Sequence, residues 1–75
     1  MDRYKNLGGD SGVAAYSIDG DSITVQFNDG ATYLYNNQST GKSNIDQMKS
    51  LALSGHGLNS FIGKVVKKGF ASKLR

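Results

Sequence analysis

The chain contains no cysteine, proline, tryptophan or glutamate. Without cysteine, disulfides and thiolate metal sites are excluded. The single histidine, His56, cannot build a zinc site without help from several carboxylates. No metal and no cofactor are therefore expected. No serine or second acid stands at a spacing that makes His56 part of a nucleophile or acid–base constellation, so the expectation is a binding protein and not an enzyme. No apolar run approaches the roughly 20 residues needed to cross a bilayer. Residues 1–10 lack the apolar stretch of a signal peptide. The absence of cysteine fits a reducing compartment, and a cytoplasmic location is expected.

What is present is small, glycine-rich and unevenly charged. Seventy-five residues make one domain. A chain this short buries only roughly 60% of the surface it exposes when unfolded, and small domains usually add a disulfide, a metal or a partner subunit. With the first two excluded, self-association is the remaining device, and a homo-oligomer is one expectation. The net charge is +3. Before residue 42, Arg3 and Lys5 face Asp2, Asp10, Asp19, Asp21 and Asp29, a balance of −3. From Lys42 onward, six lysines, Lys42 included, and Arg75 stand against Asp46 alone, a balance of +6. Such a split draws a polyanion to one side, or lets two copies pair head to tail; a merely solvated helical surface is the plain alternative.

Patterning gives an α+β domain. Residues 1–11 are polar with a Gly8-Gly9 pair and read as a flexible N-terminal arm. Residues 12–18 form a first strand in which Ala14, Tyr16 and Ile18 alternate. Asp19-Gly20 is a two-residue hairpin signal of type I′. In residues 22–28, Ile23, Val25 and Phe27 oppose Ser22, Thr24 and Gln26, the period of a sheet with one dry face. Asn28-Asp29-Gly30 turns the chain into a third strand, residues 31–36, where Tyr33 and Tyr35 share a face opposite Leu34. Ser43 or Asn44 reads as a helix cap, with Asp46 or Gln47 as its reciprocal partner. Ile45, Met48, Leu51 and Ala52 form an apolar stripe, and Ser54-Gly55 ends the helix. Leu58, Phe61, Ile62, Val65 and Val66 mark a second amphipathic helix that stops at Gly69. Residues 69–75 read as a short basic tail.

The predicted fold is thus a three-stranded antiparallel β-meander covered on one face by two amphipathic helices. Residues 12–68 form the domain. The expected core is Ile18, Ile23, Val25, Phe27, Met48, Leu51, Leu58, Phe61, Ile62 and Val65. Whether the tyrosine face or the Leu34 face joins it is left open by the spacing.

The run from Ile23 through Phe27 and Gly30 to Tyr33-Leu34-Tyr35, followed by Ala52, Ser54, Gly57, Asn59 and Ile62, resembles the KTSC domain, a family named for the C-terminus of some lysyl-tRNA synthetases. The resemblance covers about residues 14–66. Two features depart from that pattern. Asn36-Asn37-Gln38 stands where the family has a Val-Pro-like step, and the interval from Ser54 to Asn59 is about a residue short. The resemblance implies a small α+β domain and suggests RNA binding. Standalone family members occur in bacteria and phages, which leaves an inhibitor or adaptor role open.

Three features bear on a site. Tyr33 and Tyr35 form either a stacking platform for bases or part of the core with their hydroxyls at its rim; packing is favoured, since the other face offers only Leu34. The step from Gly57 through Leu58 to Asn59 opens a helix, whose free N–H groups suit a phosphate, although a plain helix–helix turn has the same sequence. It is not a P-loop, because five residues separate Gly57 from Gly63-Lys64 and Val65 follows. Lys64, Lys67 and Lys68, with Lys73 and Arg75, give a basic face that contacts phosphates without reading sequence. Asp19 and Asp21 are turn residues and lack the rest of a calcium loop. A membrane role is not expected, because the apolar face of the second helix is needed for the core. The leading expectation is a module that binds nucleic acid or a nucleotide phosphate through Tyr33, Tyr35, Gly57, Asn59, Lys64, Lys67 and Lys68. The alternative is a protein-interaction module that acts by occupying a partner.

Overall fold

The alternation around Ile23 and Val25 fixes the centre of an antiparallel sheet. In the computed structural model, which describes residues 1–9 and 11–75, five strands pair in chain order. They are β1 (Asp2–Arg3), β2 (Val13–Asp19), β3 (Ser22–Phe27), β4 (Thr32–Asn36) and β5 (Ser72–Lys73). The three central strands are those that the sequence predicts. The sheet nevertheless has five strands, not three, because both ends of the chain add a two-residue edge. The segment expected as an arm contributes β1, and the expected tail contributes β5. Asp10, also in that arm, lies outside the described residues.

The first hairpin closes one residue later than its signal suggests. Asp19 pairs with Ser22, so the loop is Gly20-Asp21. Gly20 has a φ of +56° and Asp21 keeps an ordinary one, the arrangement of a type II′ turn, in which glycine takes the first central position. A bulge at Ala14 breaks the alternation of β2. It lets Val13 and Tyr16, three apart in sequence, both point into the core. Simple alternation predicts Ala14 in that role instead.

Register settles which face is dry. Ile23 pairs with Ile18 and Tyr35, and Val25 pairs with Tyr16 and Tyr33. Directly paired residues share a face, so the tyrosines lie on the core side and Leu34 lies on the other. That side is covered by α2 (Lys42–Ser54), by α3 (Leu58–Phe61) and by a π-helical turn, Ile62–Val66, that continues α3. A short helix, α1 (Asn37–Thr40), precedes them between β4 and α2.

The capping signal also moves. The reciprocal pair is Asn36 with Ser39 at the start of α1, not Ser43 with Asp46 or Asn44 with Gln47. α2 starts after Gly41 with no side-chain cap. Asn44 instead donates to the Thr40 carbonyl, which ties the two helices together. At the other end of α2, Gly55 takes a left-handed φ of +78° and donates to the Leu51 carbonyl, as the sequence predicts.

Of the expected core, Ile23, Val25, Met48, Leu58 and Ile62 are buried, and Phe27, Leu51 and Phe61 pack against them half-buried. Ile18 and Val65 are exposed. Ile18 sits at the hairpin end of β2. Val65 is turned outward by the π-helical turn, whose wider repeat breaks the 3.6-residue spacing. Tyr4, Val13, Tyr16, Tyr35, Ile45, Ala52 and Val66 complete the core.

Candidate nucleic-acid interface

Burial decides the role of the tyrosine pair. Tyr35 is 2% exposed and belongs to the core, so its ring offers no face to a base. Burial, with the neighbouring Tyr33, pushes its phenol up to about 12. Tyr33, one turn of the pleat earlier on the same strand, is only half-buried. Its ring stands 5.8 Å from that of Phe27 at an interplanar angle of 75°, and 4.7 Å from that of Phe70. Edge and tilted contacts of this kind suit the quadrupoles of aromatic rings.

β5 brings charge to this aromatic group. Lys73 pairs with Tyr33 across the strands, and its ammonium lies 5.8 Å from the Tyr33 ring centroid, within cation–π range. Two residues on, the Arg75 carbonyl accepts from Thr32 N, which anchors the chain end beside Tyr33. Lys64 lies on the π-helical turn, with Lys67 and Lys68 immediately after it, and all three are exposed.

The other lysines of the basic half are engaged locally. Lys42 donates to Asp46 at 2.7 Å, and this hydrogen bond holds the Asp46 carboxyl below its usual value. Lys49 donates to the Gly20 carbonyl of the first hairpin. Among the described residues, Lys64, Lys67, Lys68, Lys73 and Arg75 have no acidic partner. The stretch that carries them contains no acid.

Gly57 and Asn59 occupy a different setting. They border a polar cleft of about 340 Å³ that also takes in Tyr4, Asn6, His56 and Ser60. The N–H of Leu58 at the start of α3 donates to the Tyr4 hydroxyl at 3.2 Å, so one of the donors expected for phosphate is already used. The Asn59 side chain lies against Gly12. Gly12 in turn borders a second, more apolar cleft of about 470 Å³ beside Phe27 and Tyr33. Asn59 therefore sits where the two clefts approach each other.

Sequence reasoning reaches Tyr33 and the lysines but misses Phe27 as a partner of Tyr33. The Asn28-Asp29-Gly30 turn was a usable signal for it, since a tight hairpin brings the residues flanking it together. The meeting of Lys73 with Tyr33 has no such signal, because a two-residue edge strand leaves no periodicity. Among the described residues no three histidine or acidic side chains gather as a metal site, and no helix is long and apolar enough to cross a membrane. No family model, no curated protein and no solved structure matches the chain.

Proposed function

We propose that this chain is a small non-catalytic module that binds single-stranded nucleic acid along the stretch from Lys64 to Arg75, with Tyr33 as its aromatic contact. The observation that carries the reading is the position of the Lys73 ammonium over the Tyr33 ring. It brings one cation of the basic stretch onto a half-buried aromatic cluster, the two components with which single strands are held. Lysines on a flexible stem neutralise phosphates without reading bases, and Tyr33 adds a contact that duplex DNA does not offer. Kinship with the KTSC family, proposed on the Ile23-to-Tyr35 run and the residues around Gly57, points the same way. Tyr35 supports the platform from the core, and the Gly57–Asn59 step serves as a neighbouring contact, not as a separate phosphate loop.

The test is a variant with Lys64, Lys67 and Lys68 all replaced by alanine. These side chains are exposed, so the melting temperature stays close to that of the parent chain. Affinity for a single-stranded oligonucleotide falls on the order of tenfold or more at low salt. Unchanged affinity in a folded variant refutes the reading.

A second reading, a protein-interaction module or self-associating chain, draws on the uncovered face of the sheet. Ser17, Thr24, Leu34 and Ser72 form one row across it, and none of these side chains is charged. That row suits a partner strand layer better than it suits a polyanion. A concentration-dependent mass in light scattering, together with no oligonucleotide binding, favours this second reading.

A further inference from the structure

The cleft beside Tyr33 is lined by Gly12, Phe27, Asn28, Asp29, Ala31 and Tyr33, and its volume is about 470 Å³. That lies within the roughly 300–1,000 Å³ of small-molecule sites. Its walls and its rim differ in chemistry. The Phe27 and Tyr33 rings stand at 75° to each other and form a corner, so a flat group that lies on one ring meets the other edge-on. The cation over Tyr33 comes from Lys73, and the backbone of Arg75 is bonded to Thr32, next to Ala31. Positive charge therefore flanks the cleft from β5 and the residues after it.

The rim offers acceptors. Asn28 spends its amide N–H on the Ser11 carbonyl, and among the described residues its side-chain oxygen accepts no hydrogen bond. Asp29 accepts from Ala31 N with Oδ1, and among the described residues its second oxygen accepts no hydrogen bond. A free carboxylate oxygen and a free amide oxygen on one rim call for N–H donors, and the carboxylate repels phosphates.

We infer that this cleft takes one unstacked nucleobase, stacked in the Phe27–Tyr33 corner, and that the Asn28–Asp29 rim selects a base whose edge presents adjacent N–H donors, guanine foremost. The inference rests on the nucleic-acid reading above and adds to it a base pocket with a chemical preference. Guanine offers two neighbouring donors to a carboxylate, whereas uracil and thymine offer one flanked by acceptors. A preference of on the order of tenfold follows from one well-placed pair of this kind.

The experiment compares an oligouridine pentamer with one carrying guanine at its centre, read by affinity and by the ring and amide signals of the full chain. Deoxy counterparts and free guanosine monophosphate distinguish RNA, DNA and mononucleotide as the source of the base. The guanine pentamer is expected to bind about tenfold more tightly and to shift the ring signals of Phe27 and Tyr33 in the tightest-binding arm. Asp29→Asn keeps the acceptor for Ala31 N and removes the charge; it is expected to abolish most of the preference, bringing the guanine pentamer close to oligouridine in affinity. Equal affinity for the two pentamers, or rings that do not move while the amides of residues 64–75 do, overturns the base pocket and leaves the nucleic-acid reading standing. An absence of binding by every oligomer and nucleotide overturns both.

Discussion

The hydroxyl of Tyr4 accepts a hydrogen bond at 3.2 Å from the backbone N–H of Leu58, a partner 54 residues away in sequence. The bond is buried, and it ties the N-terminal segment to the start of α3. Tyr4→Phe keeps the ring and leaves that N–H without a partner, at a cost of about 1–3 kcal/mol. In a domain of this size each kcal/mol lowers the melting temperature by about 4–8 °C. Thermal unfolding followed by circular dichroism is expected to show a drop of that order with the native spectrum retained.

Two glycines are expected to respond in opposite directions to alanine. A Cβ at Gly55 would stand 2.4 Å from the Lys5 Cβ, at a φ of +78°. Gly55→Ala therefore destabilises by more than about 1 kcal/mol, through backbone strain and through displacement of the N-terminal segment. Gly63 has open space around it and an ordinary φ. Gly63→Ala stabilises by about 0.4–1 kcal/mol, because it restricts the unfolded chain. Urea midpoints of the two variants check both signs.

Burial makes Tyr35 a probe of stability at high pH. Its phenol ionises at about 12 in the folded chain, against an ordinary value of 10.0. Below 10 both states keep the proton. Between 10 and 12 the unfolded chain loses it first, so stability falls as pH rises, by at most about 1.4 kcal/mol per unit. Above the folded value the loss levels off. Urea midpoints across this interval are expected to fall more steeply in the parent chain than in Tyr35→Phe, which retains only the slope of the remaining groups.

Lys67 leaves the π-helical turn with a φ of +53° and a ψ of −118°, a conformation that glycine adopts with little cost and a side chain does not. Strain is therefore held at a residue of the basic face. Lys67→Gly is expected to raise the melting temperature by an amount matching about 1 kcal/mol while weakening oligonucleotide binding. A variant that gains stability and keeps its affinity removes Lys67 from the interface.

Much of this fold is legible in the sequence, and the misses have physical causes. Ile23 and Val25 are buried as their alternation requires, and Gly55 ends α2 where the glycine signal stands. Pattern reading assumes one unbroken period for each element. The bulge at Ala14 and the π-helical turn each break the period, which brings Val13 in and sends Val65 out. The edges β1 and β5 are too short to carry a pattern; pairing with β2 and β4 and the packing of Tyr4 and Phe70 hold them in place. The candidate site shares this limit. The lysines are visible as a charge run and Tyr33 as half of a repeated pair. Their meeting through Lys73 depends on an edge strand that the sequence does not announce.

The most direct test of the central claim is the salt dependence of single-strand binding. Five cations lie along the stretch from Lys64 to Arg75, and a single strand releases about 0.7 counterion for each phosphate neutralised. A plot of log affinity against log salt concentration is expected to be linear with a slope of about −3.5 if all five engage phosphates. A slope near zero, or no binding at low salt, contradicts the account.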